Sequence, residues 1–435
     1  MIKEKVAIVW FRRDLRLEDN TALIASLSTH ENVLPLFIFD DDILGELPKN
    51  DPRVNFIYTN LKNMNQRLRK EGSSMLIVRG KINEVWKKLI DAYSIESVYA
   101  NKDYEPYALD RDNEIEKLLI SKGIGFKTFK DQVIHEENEV LKADGTPYTV
   151  FTPYKNKWLS VYKPQPQSAQ ITFENFHSKN YPFPEMEKIG IELSSIQVQP
   201  FTLKNVSTYA ETRNFPSLDS TSYLSPHLRF GTISIRQIIA GLGDNASVFL
   251  SELIWREFFM QILFHFPKVV TNNFRSKYDG IVWRNDDAEF EKWCNGETGY
   301  PMVDAGMKQL NATGYMHNRV RMVTAGFLCK HLLIDWRKGE SYFAKKLLDF
   351  ELSSNNGNWQ WAAGTGCDAA PYFRVFNPSE QIKKFDKAFK YIKTWVPKFG
   401  TENYPEPIVE HKMARLRALE TYKTGIENRI ISESI

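Results

Sequence analysis

The first 131 residues alternate short apolar runs with amphipathic stretches, and this alternation constrains the fold more than any other feature. The apolar runs indicate strands, and the stretches between them carry helical spacing. The predicted strands are Val6–Trp10, Val33–Phe39, Met75–Val78, Ser97–Ala100 and Gly125–Thr128, and the predicted helices are Val54–Lys70, Ile82–Tyr93 and Asp110–Lys122. This order predicts an α/β domain with a parallel, Rossmann-like sheet covered on both faces.

The rest of the chain changes character twice. Residues 132–195 lose periodicity and contain six prolines, which is typical of a connecting segment. From residue 196 onward the spacing is helical, over Ala246–Phe266, Val303–Leu310, Met316–Leu333 and Tyr342–Leu348. We therefore predict an α/β domain at 1–131, a long interdomain linker at 132–195 and an all-α domain at 196–435.

Composition and charge narrow the class of protein. The amino-terminal segment lacks a secretory apolar region, no run of about 18 apolar residues occurs, and the 3 cysteines lack metal-site spacing. We expect a cytoplasmic monomer without membrane partner or metal. Residues 1–195 hold 27 Lys+Arg and 29 Asp+Glu, which leaves 30 and 25 of the chain's 57 and 54 for residues 196–435. The excess of five positive charges marks the second half as the place for a phosphate-binding face.

The residues alone do not determine where a phosphate group would bind. No G-x-G-x-x-G follows the first strand, where the chain reads Phe11-Arg12-Arg13, so a dinucleotide lacks its usual cradle there. Thr221, Ser222 and Ser225 stand where a later helix begins, and hydroxyl groups there suit either a phosphate or an ordinary helix cap.

Two helical faces and a group of indoles indicate a lined cavity in the second half. Glu252, Trp255 and Arg256 share one face, as do Asn318, Arg321 and Met322 on a later helix. The indoles Trp283, Trp336 and Trp359 lie in the same helical region, and the last belongs to the run Asn355-Asn356-Gly357-Asn358-Trp359-Gln360-Trp361. Spaced indoles fit electron transfer to a redox cofactor, and they equally fit core packing.

Four motifs resemble those of the photolyase/cryptochrome family, and the similarity runs from about residue 5 to 420. They are Trp10-Phe11-Arg12-Arg13-Asp14-Leu15-Arg16, Leu253-Ile254-Trp255-Arg256-Glu257-Phe258, Met316-His317-Asn318-Arg319-Val320-Arg321-Met322 and the Asn355–Trp361 run. The resemblance implies an α/β antenna domain, a long linker and a helical FAD-binding domain, most like class I cyclobutane pyrimidine dimer photolyase.

The resemblance also implies roles for individual residues. Asn355 would face the flavin N5, Arg321 would pair with Asp349, and Trp359, Trp336 and Trp283 would form an electron-transfer chain from proximal to distal. The implied FAD-binding residues are Tyr209, Thr221, Ser222, Tyr223, Leu224, Ser225, Phe249, Arg256, Arg321, Asp349, Phe350, Glu351 and Asn355. The implied contacts to ultraviolet-damaged DNA are Arg213, Glu252, Trp255, Arg256, Asn318, Arg319, Met322, Trp361 and Gln381. The implied reaction is light-driven cyclobutane dimer repair by an electron from reduced FAD, with Glu252 bonding the thymine edge.

Two other activities remain as alternatives, and the antenna is the least defined part. A (6-4) photolyase would carry histidines at Met316 and Val320, and His317 would then be structural here. Asn355 and the short segment after Thr424 argue against a cryptochrome photoreceptor. Ala108 and Thr271 stand where methenyltetrahydrofolate-binding relatives carry Glu and Lys, so a deazaflavin or flavin antenna is favoured, with Arg53 and Asp103 as its contacts.

Overall fold

The computed structural model describes residues 3–164 and 171–433, which form two compact units. The first unit contains the described residues up to Glu136, together with those of Val161–Phe201 and with Tyr223–Leu242. The second contains Glu137–Ser160, Thr202–Ser222 and the described residues from Gly243 onward. These units cross the predicted boundaries at residues 131 and 195, so the division into 1–131, 132–195 and 196–435 stays a prediction about sequence domains.

The first unit is built on a five-stranded parallel sheet in the order β3-β2-β1-β4-β5. Its strands are β1 (Glu4–Phe11), β2 (Val33–Asp40), β3 (Leu76–Gly80), β4 (Tyr93–Asn101) and β5 (Gly125–Phe129). All eight residues of β2 are buried, as expected when helices cover both faces of a parallel sheet. The predicted α/β architecture is confirmed, and each predicted strand overlaps an observed one.

Helices flank this sheet and begin with recognisable signals. The longest follows Asp51, whose side chain accepts a hydrogen bond from the Arg53 N–H, and it has proline in its first turn. The helices of this unit are Thr21–Leu27, Asp41–Leu44, Pro52–Lys70, Ile82–Ala92, Pro106–Ile120, Met186–Ile189, Leu224–Arg229 and Ile235–Ala240.

The named elements of the second unit are all helices within the described residues, which confirms the predicted all-α part. Its α-helices are Phe151–Val161, whose last residue falls at the unit boundary, Tyr209–Thr212, Ser247–His265, Asp287–Asn295, Pro301–Thr313, Asn318–Gly326, Trp336–Lys346, Leu352–Ala363, Pro378–Phe385, Lys390–Trp395 and His411–Glu433. Short 3₁₀ turns lie at Val206–Thr208, Asp244–Ala246, Pro267–Val270 and Ser276–Tyr278. The three cysteines, Cys294, Cys329 and Cys367, are buried and reduced.

The structure refines one helical prediction and departs from another. The helical pattern over Met316–Leu333 is an α-helix as far as Gly326 and continues as the π-helical turn Phe327–His331. The predicted linker contains the helix Phe151–Val161, whose Tyr154 and Trp158 are buried. Pro153 did not prevent this helix, because a proline in the first helical turn removes no helical hydrogen bond.

Two glycines allow close helix packing in the second unit. A Cβ atom on Gly339 would lie 2.2 Å from Cη2 of Trp359, and one on Gly357 would lie 2.1 Å from Cδ1 of Phe259. The helix Leu352–Ala363 is therefore pressed between the helices Trp336–Lys346 and Ser247–His265. Within the described ranges, no helix is long and apolar enough to span a bilayer.

Candidate functional site

The helix Leu352–Ala363 carries the centre of the candidate site. Asn355 is buried on this helix, and its Nδ2 donates to the backbone oxygen of Glu340 at 3.1 Å and to Glu340 Oε1 at 2.7 Å. Both amide hydrogens are thus engaged, and Oδ1 is left in the role of acceptor. An acceptor oriented in this way suits an N–H donor on a bound ring.

Glu340 is a site residue that sequence reasoning missed. Burial raises the pKa of its carboxyl group, while the Asn355 hydrogen bond acts in the opposite direction. Its position four residues after Trp336 places both on one helical face, and that spacing was the available signal.

The three predicted indoles differ in burial and in their hydrogen bonds. Trp359 is 2 % exposed, and its Nε1 has no hydrogen-bond partner among the described residues. Trp336 is fully buried and donates from Nε1 to Asn273 Oδ1 at 2.9 Å. Trp283 is only partly buried and meets Tyr422 edge to face at 5.9 Å. Burial therefore decreases from the two inner indoles to Trp283.

A fourth indole, Trp293, lies beside this group and was not singled out from the sequence. Its ring centroid is 6.1 Å from that of Trp359, at an interplanar angle of 70°. Its Nε1 donates to the backbone oxygen of Thr324 at 3.1 Å. Phe343 packs on both rings, so the two indoles and this phenyl ring form one aromatic cluster.

Two ion pairs join the predicted FAD-binding residues. Arg321 contacts Asp349 at 2.9 Å, as predicted, and Arg256 contacts Glu351 at 2.9 Å. Both carboxylates belong to the segment just before the helix Leu352–Ala363, and Phe350 between them is half-buried against the core. The arginines come from two different helices, so these pairs fix that segment from two sides.

A second group of predicted residues meets at the start of the helix Ser247–His265. Arg213 Nη1 contacts Glu252 Oε1 at 2.7 Å, and its guanidinium lies 5.2 Å from the ring centroid of Tyr209. Tyr209 in turn packs edge to face on Phe249 at 5.2 Å. Burial, together with the Glu252 charge, raises the pKa of Tyr209 to about 12. Tyr209 is therefore a neutral hydroxyl group at physiological pH.

Trp255 is half-buried and one of its faces is covered. The ring of Phe151 stacks on it with centroids 3.7 Å apart and an interplanar angle of 8°. Sequence reasoning missed this contact, because Phe151 lies in the segment predicted as a linker.

The helix Asn318–Gly326 carries the next predicted DNA contacts. His317 caps this helix by accepting from the Arg319 N–H at 3.2 Å, which matches the structural role expected for it. Burial, with nearby arginines, lowers the pKa of His317 to about 4, so the ring is neutral and able to accept. Asn318 is exposed, whereas the Arg319 guanidinium bonds Asn214 and lies 4.5 Å from the Phe385 ring.

Met322 and Trp361 come together in a recess of the second unit. Lys330 and Arg374 also line it, and Lys330 Nζ donates to the backbone oxygen of Arg374 at 3.0 Å. Burial lowers the pKa of Lys330 to about 8. Gln381 is half-buried on the helix Pro378–Phe385.

The predicted phosphate segment is divided between the two units. Thr221 and Ser222 belong to the second unit, whereas Tyr223, Leu224 and Ser225 belong to the first. Tyr223, with φ of 52°, is the residue that precedes the six-residue helix Leu224–Arg229, so neither a serine nor a threonine occupies the cap position. The phosphate role of this segment stays a prediction.

The two predicted antenna residues form ion pairs within the first unit. Arg53 contacts Asp51 at 2.6 Å, and Asp103 contacts Arg13 at 2.9 Å. Both side chains are buried. Burial alone would raise the pKa of Asp103, but the surrounding arginine charges, Arg13 first, outweigh it and lower that pKa. The structure does not bring Arg53 and Asp103 into contact with each other.

Fold and site together define a protein with a parallel α/β unit and an indole-rich helical unit, and comparison with known proteins places it in a family. Residues 7–171 match the model described as DNA photolyase, and residues 249–401 match that of the FAD binding domain of DNA photolyase. The chain belongs to the DNA photolyase family, and it contains an FAD-binding domain.

Curated relatives and solved structures agree with this assignment. Deoxyribodipyrimidine photo-lyases of Alkalihalophilus pseudofirmus and Escherichia coli are 37% and 36% identical, over 97% and 96% of this chain and 98% of each relative. A class III photolyase from Agrobacterium tumefaciens superposes with a TM-score of 0.86 at 32% identity, covering 98% of both chains. A photolyase from Sulfolobus tokodaii, whose structure holds two FAD molecules, gives 0.85 at 35% identity, over 96% of this chain and 100% of that one.

Proposed function

We propose that this protein repairs cyclobutane pyrimidine dimers in ultraviolet-damaged DNA, using light and a reduced FAD. The observation that carries the proposal is the helix Leu352–Ala363, which presents Asn355, Trp359 and Trp361 within two turns. On this one helix, Asn355 would contact the flavin, Trp359 is a buried indole, and Trp361 would line the lesion site. The deoxyribodipyrimidine photo-lyases that match most of the chain support the same activity.

The second unit fits the flavin in its polar groups. Asn355 Oδ1 is the acceptor that an N–H at the flavin N5 requires, and Glu340 holds it in that orientation. The ion pairs of Arg256 and Arg321 hold the segment just before the same helix in place. A reduced FAD bound there supplies, on absorbing blue light, the electron that splits the cyclobutane ring and afterwards returns.

The protein's own residues would bind and orient the lesion. A dimer stacks and pairs poorly, so flipping it out of the duplex is less costly than flipping normal bases, and Trp255 and Trp361 offer it stacking surfaces. Arg213 donates to Oε1 of Glu252, and the other oxygen, Oε2, would accept from a base N–H. Arg319 and Asn318 at the start of their helix would contact backbone phosphate without reading sequence.

The positions diagnostic of (6-4) repair support cyclobutane dimers as the substrate. Met316 and Val320 are 3 % and 0 % exposed. Val320 packs so closely against Gly306 that a Cβ atom on Gly306 would lie 2.4 Å from Val320 Cγ1. Neither residue exchanges protons, so no acid–base pair stands at these positions.

A second chromophore of the flavin or deazaflavin type is also proposed for the first unit, in preference to methenyltetrahydrofolate. The photolyase from Sulfolobus tokodaii, with its two FAD molecules, supports this choice. Arg53 and Asp103 do not by themselves fit the group, because each is buried in an ion pair. Extraction of the purified protein and chromatography of its chromophores would identify the antenna, and a pterin would contradict the proposal.

The decisive experiment uses the photoreduced holoprotein and oligothymidine that contains cyclobutane dimers. We expect absorbance near 260 nm to recover under blue light and not in the dark. A parallel reaction contains an oligonucleotide with one (6-4) photoproduct. Light-dependent repair of only the (6-4) photoproduct would identify that lesion as the substrate in place of the cyclobutane dimer. Repair of neither lesion, with FAD bound and reduced, would favour a photoreceptor.

A further inference from the structure

The rings of Phe151 and Trp255 stack face to face with their centroids 3.7 Å apart. Phe151 is 7 % exposed, and its ring is nearly parallel to the indole. Phe258 approaches the indole edge to face at 5.5 Å, and Phe259 is tilted at 5.3 Å. One indole face is therefore occupied by protein, and its neighbours restrict rotation of the ring.

Phe151 is itself held from two directions. Asp368 Oδ2 accepts a hydrogen bond from the Phe151 N–H at 2.9 Å, at the amino end of the helix Phe151–Val161, where a carboxylate is favoured. Two turns later, Trp158 Nε1 donates to the buried carboxylate of Glu257 at 2.6 Å. Glu257 and Trp255 lie on the same helix, so the helix Phe151–Val161 is anchored at both ends beside the indole.

We propose that Phe151 is a positioning residue for lesion recognition, which fixes the Trp255 ring so that a flipped base stacks on its remaining surface. This inference rests on the proposed function, and it extends the lesion site to a segment that the sequence marks as a connection. Phe151 touches no substrate in this role. A ring that is already immobilised loses less conformational freedom on binding, so the lesion is bound more tightly.

The test compares Phe151→Leu with Phe151→Tyr. Leucine keeps apolar volume without a flat ring, and tyrosine keeps the ring. A side chain that must be immobilised on binding lowers affinity by roughly threefold to tenfold. We expect Phe151→Leu to weaken binding of an oligonucleotide with one cyclobutane dimer by that factor, measured by fluorescence anisotropy with the holoprotein. Binding of the undamaged oligonucleotide and the flavin absorption spectrum should not change, and Phe151→Tyr should bind as the wild type does.

A double-mutant cycle separates positioning from general loss of stability. If Phe151 acts through the indole, Phe151→Leu should have no effect on lesion affinity in a Trp255→Ala background. Leu159→Ala, an exposed change on the same helix, is the matched control. An unchanged lesion affinity in folded Phe151→Leu, an equal loss for undamaged DNA, or additive effects in the cycle would overturn the inference. A wild-type protein that neither binds nor repairs the dimer would instead overturn the proposed function itself.

Discussion

Asn355 owes its orientation to a neighbouring residue, Glu340. An amide has two chemically different ends, and only its partners decide which end faces a ligand. Glu340 engages the nitrogen through a backbone and a side-chain oxygen. The proposed ability of Asn355 to support reduced flavin therefore depends on Glu340.

Glu340→Ala should destabilise the reduced state of the bound flavin, because the shorter of the two hydrogen bonds to Asn355 is lost. The loss of one such bond is worth about 1 kcal/mol, or roughly a fivefold change in the ratio of reduced to oxidised flavin. Glu340→Gln retains a carbonyl acceptor and should behave as the wild type does. Anaerobic redox titration followed by flavin absorbance measures this difference, and equal behaviour of the two variants would refute it.

The sequence predicted the residues of the site but few of the contacts between distant segments. Arg321 and Asp349 are 28 positions apart, and family resemblance was enough to pair them. Phe151 and Trp255 are separated by 104 positions, and nothing in a single sequence connects an aromatic ring in a proline-rich segment to a helix so far along the chain. Such contacts depend on tertiary packing, which local periodicity does not encode.

At the scale of helices, Gly339 sets the distance between two of them. Alanine in a helix interior usually gains about 0.5–1 kcal/mol over glycine, but here the added carbon would overlap Trp359 and Leu328. Overpacking costs about 1–3 kcal/mol, so Gly339→Ala should lower Tm. A Cβ atom on Gly326 would lie 3.9 Å from the Phe376 ring, which is an ordinary contact distance, so Gly326→Ala should raise Tm or leave it unchanged. Thermal unfolding by circular dichroism compares the pair, and stabilisation by both variants would exclude the tight contact.

The helix His411–Glu433 packs through a histidine pair that makes its docking sensitive to acid. His331 Nε2 and His411 Nδ1 are 2.9 Å apart, and burial, helped by the His411, Arg417 and Lys330 charges, lowers the pKa of His331 to about 3. Because an unfolded histidine titrates near 6.5, this contribution to stability is complete above that pH and is lost as the pH falls toward 3.

Between pH 7.5 and pH 5, the free energy of unfolding should fall by about 2 kcal/mol through His331 alone. His331→Phe keeps a flat ring beside Phe327 and cannot be protonated, so its stability should depend less on pH. Urea unfolding at several pH values measures both proteins. The same acid slope in the variant would assign the effect to other groups.

At the scale of the whole molecule, charge and lesion recognition should act separately. The positive excess lies in residues 196–435, whereas stacking surfaces such as Trp255 and Trp361 are uncharged. Affinity for any DNA should therefore fall steeply between about 50 and 200 mM salt, as phosphate contacts release counterions. The ratio of affinities for damaged and undamaged DNA should stay constant. Anisotropy titrations over this range test the separation, and a ratio that collapses with salt would show that recognition of the dimer is itself electrostatic.

The architecture as a whole was largely predictable, because it follows from hydrophobic periodicity. The parallel sheet and the helical unit both emerged from it. The periodicity did not predict how segments are assigned to the two compact units. Most of the helix Phe151–Val161 belongs to the second unit, and residues 223–242 belong to the first, which the order of the chain does not suggest. The compact units are determined by which surfaces pack against each other, and a proline-rich composition does not predict that packing.

The burial of every cysteine has a practical consequence for spectroscopy. Burial raises the pKa of Cys294 to about 12 and that of Cys367 to about 11, and it raises that of Cys329 as well. Thiolates are the species that react with maleimides, so the native protein should be almost inert to such reagents at neutral pH. A single cysteine introduced at an exposed position such as Ser160 would then carry a fluorophore or spin label selectively, without prior removal of the natural thiols.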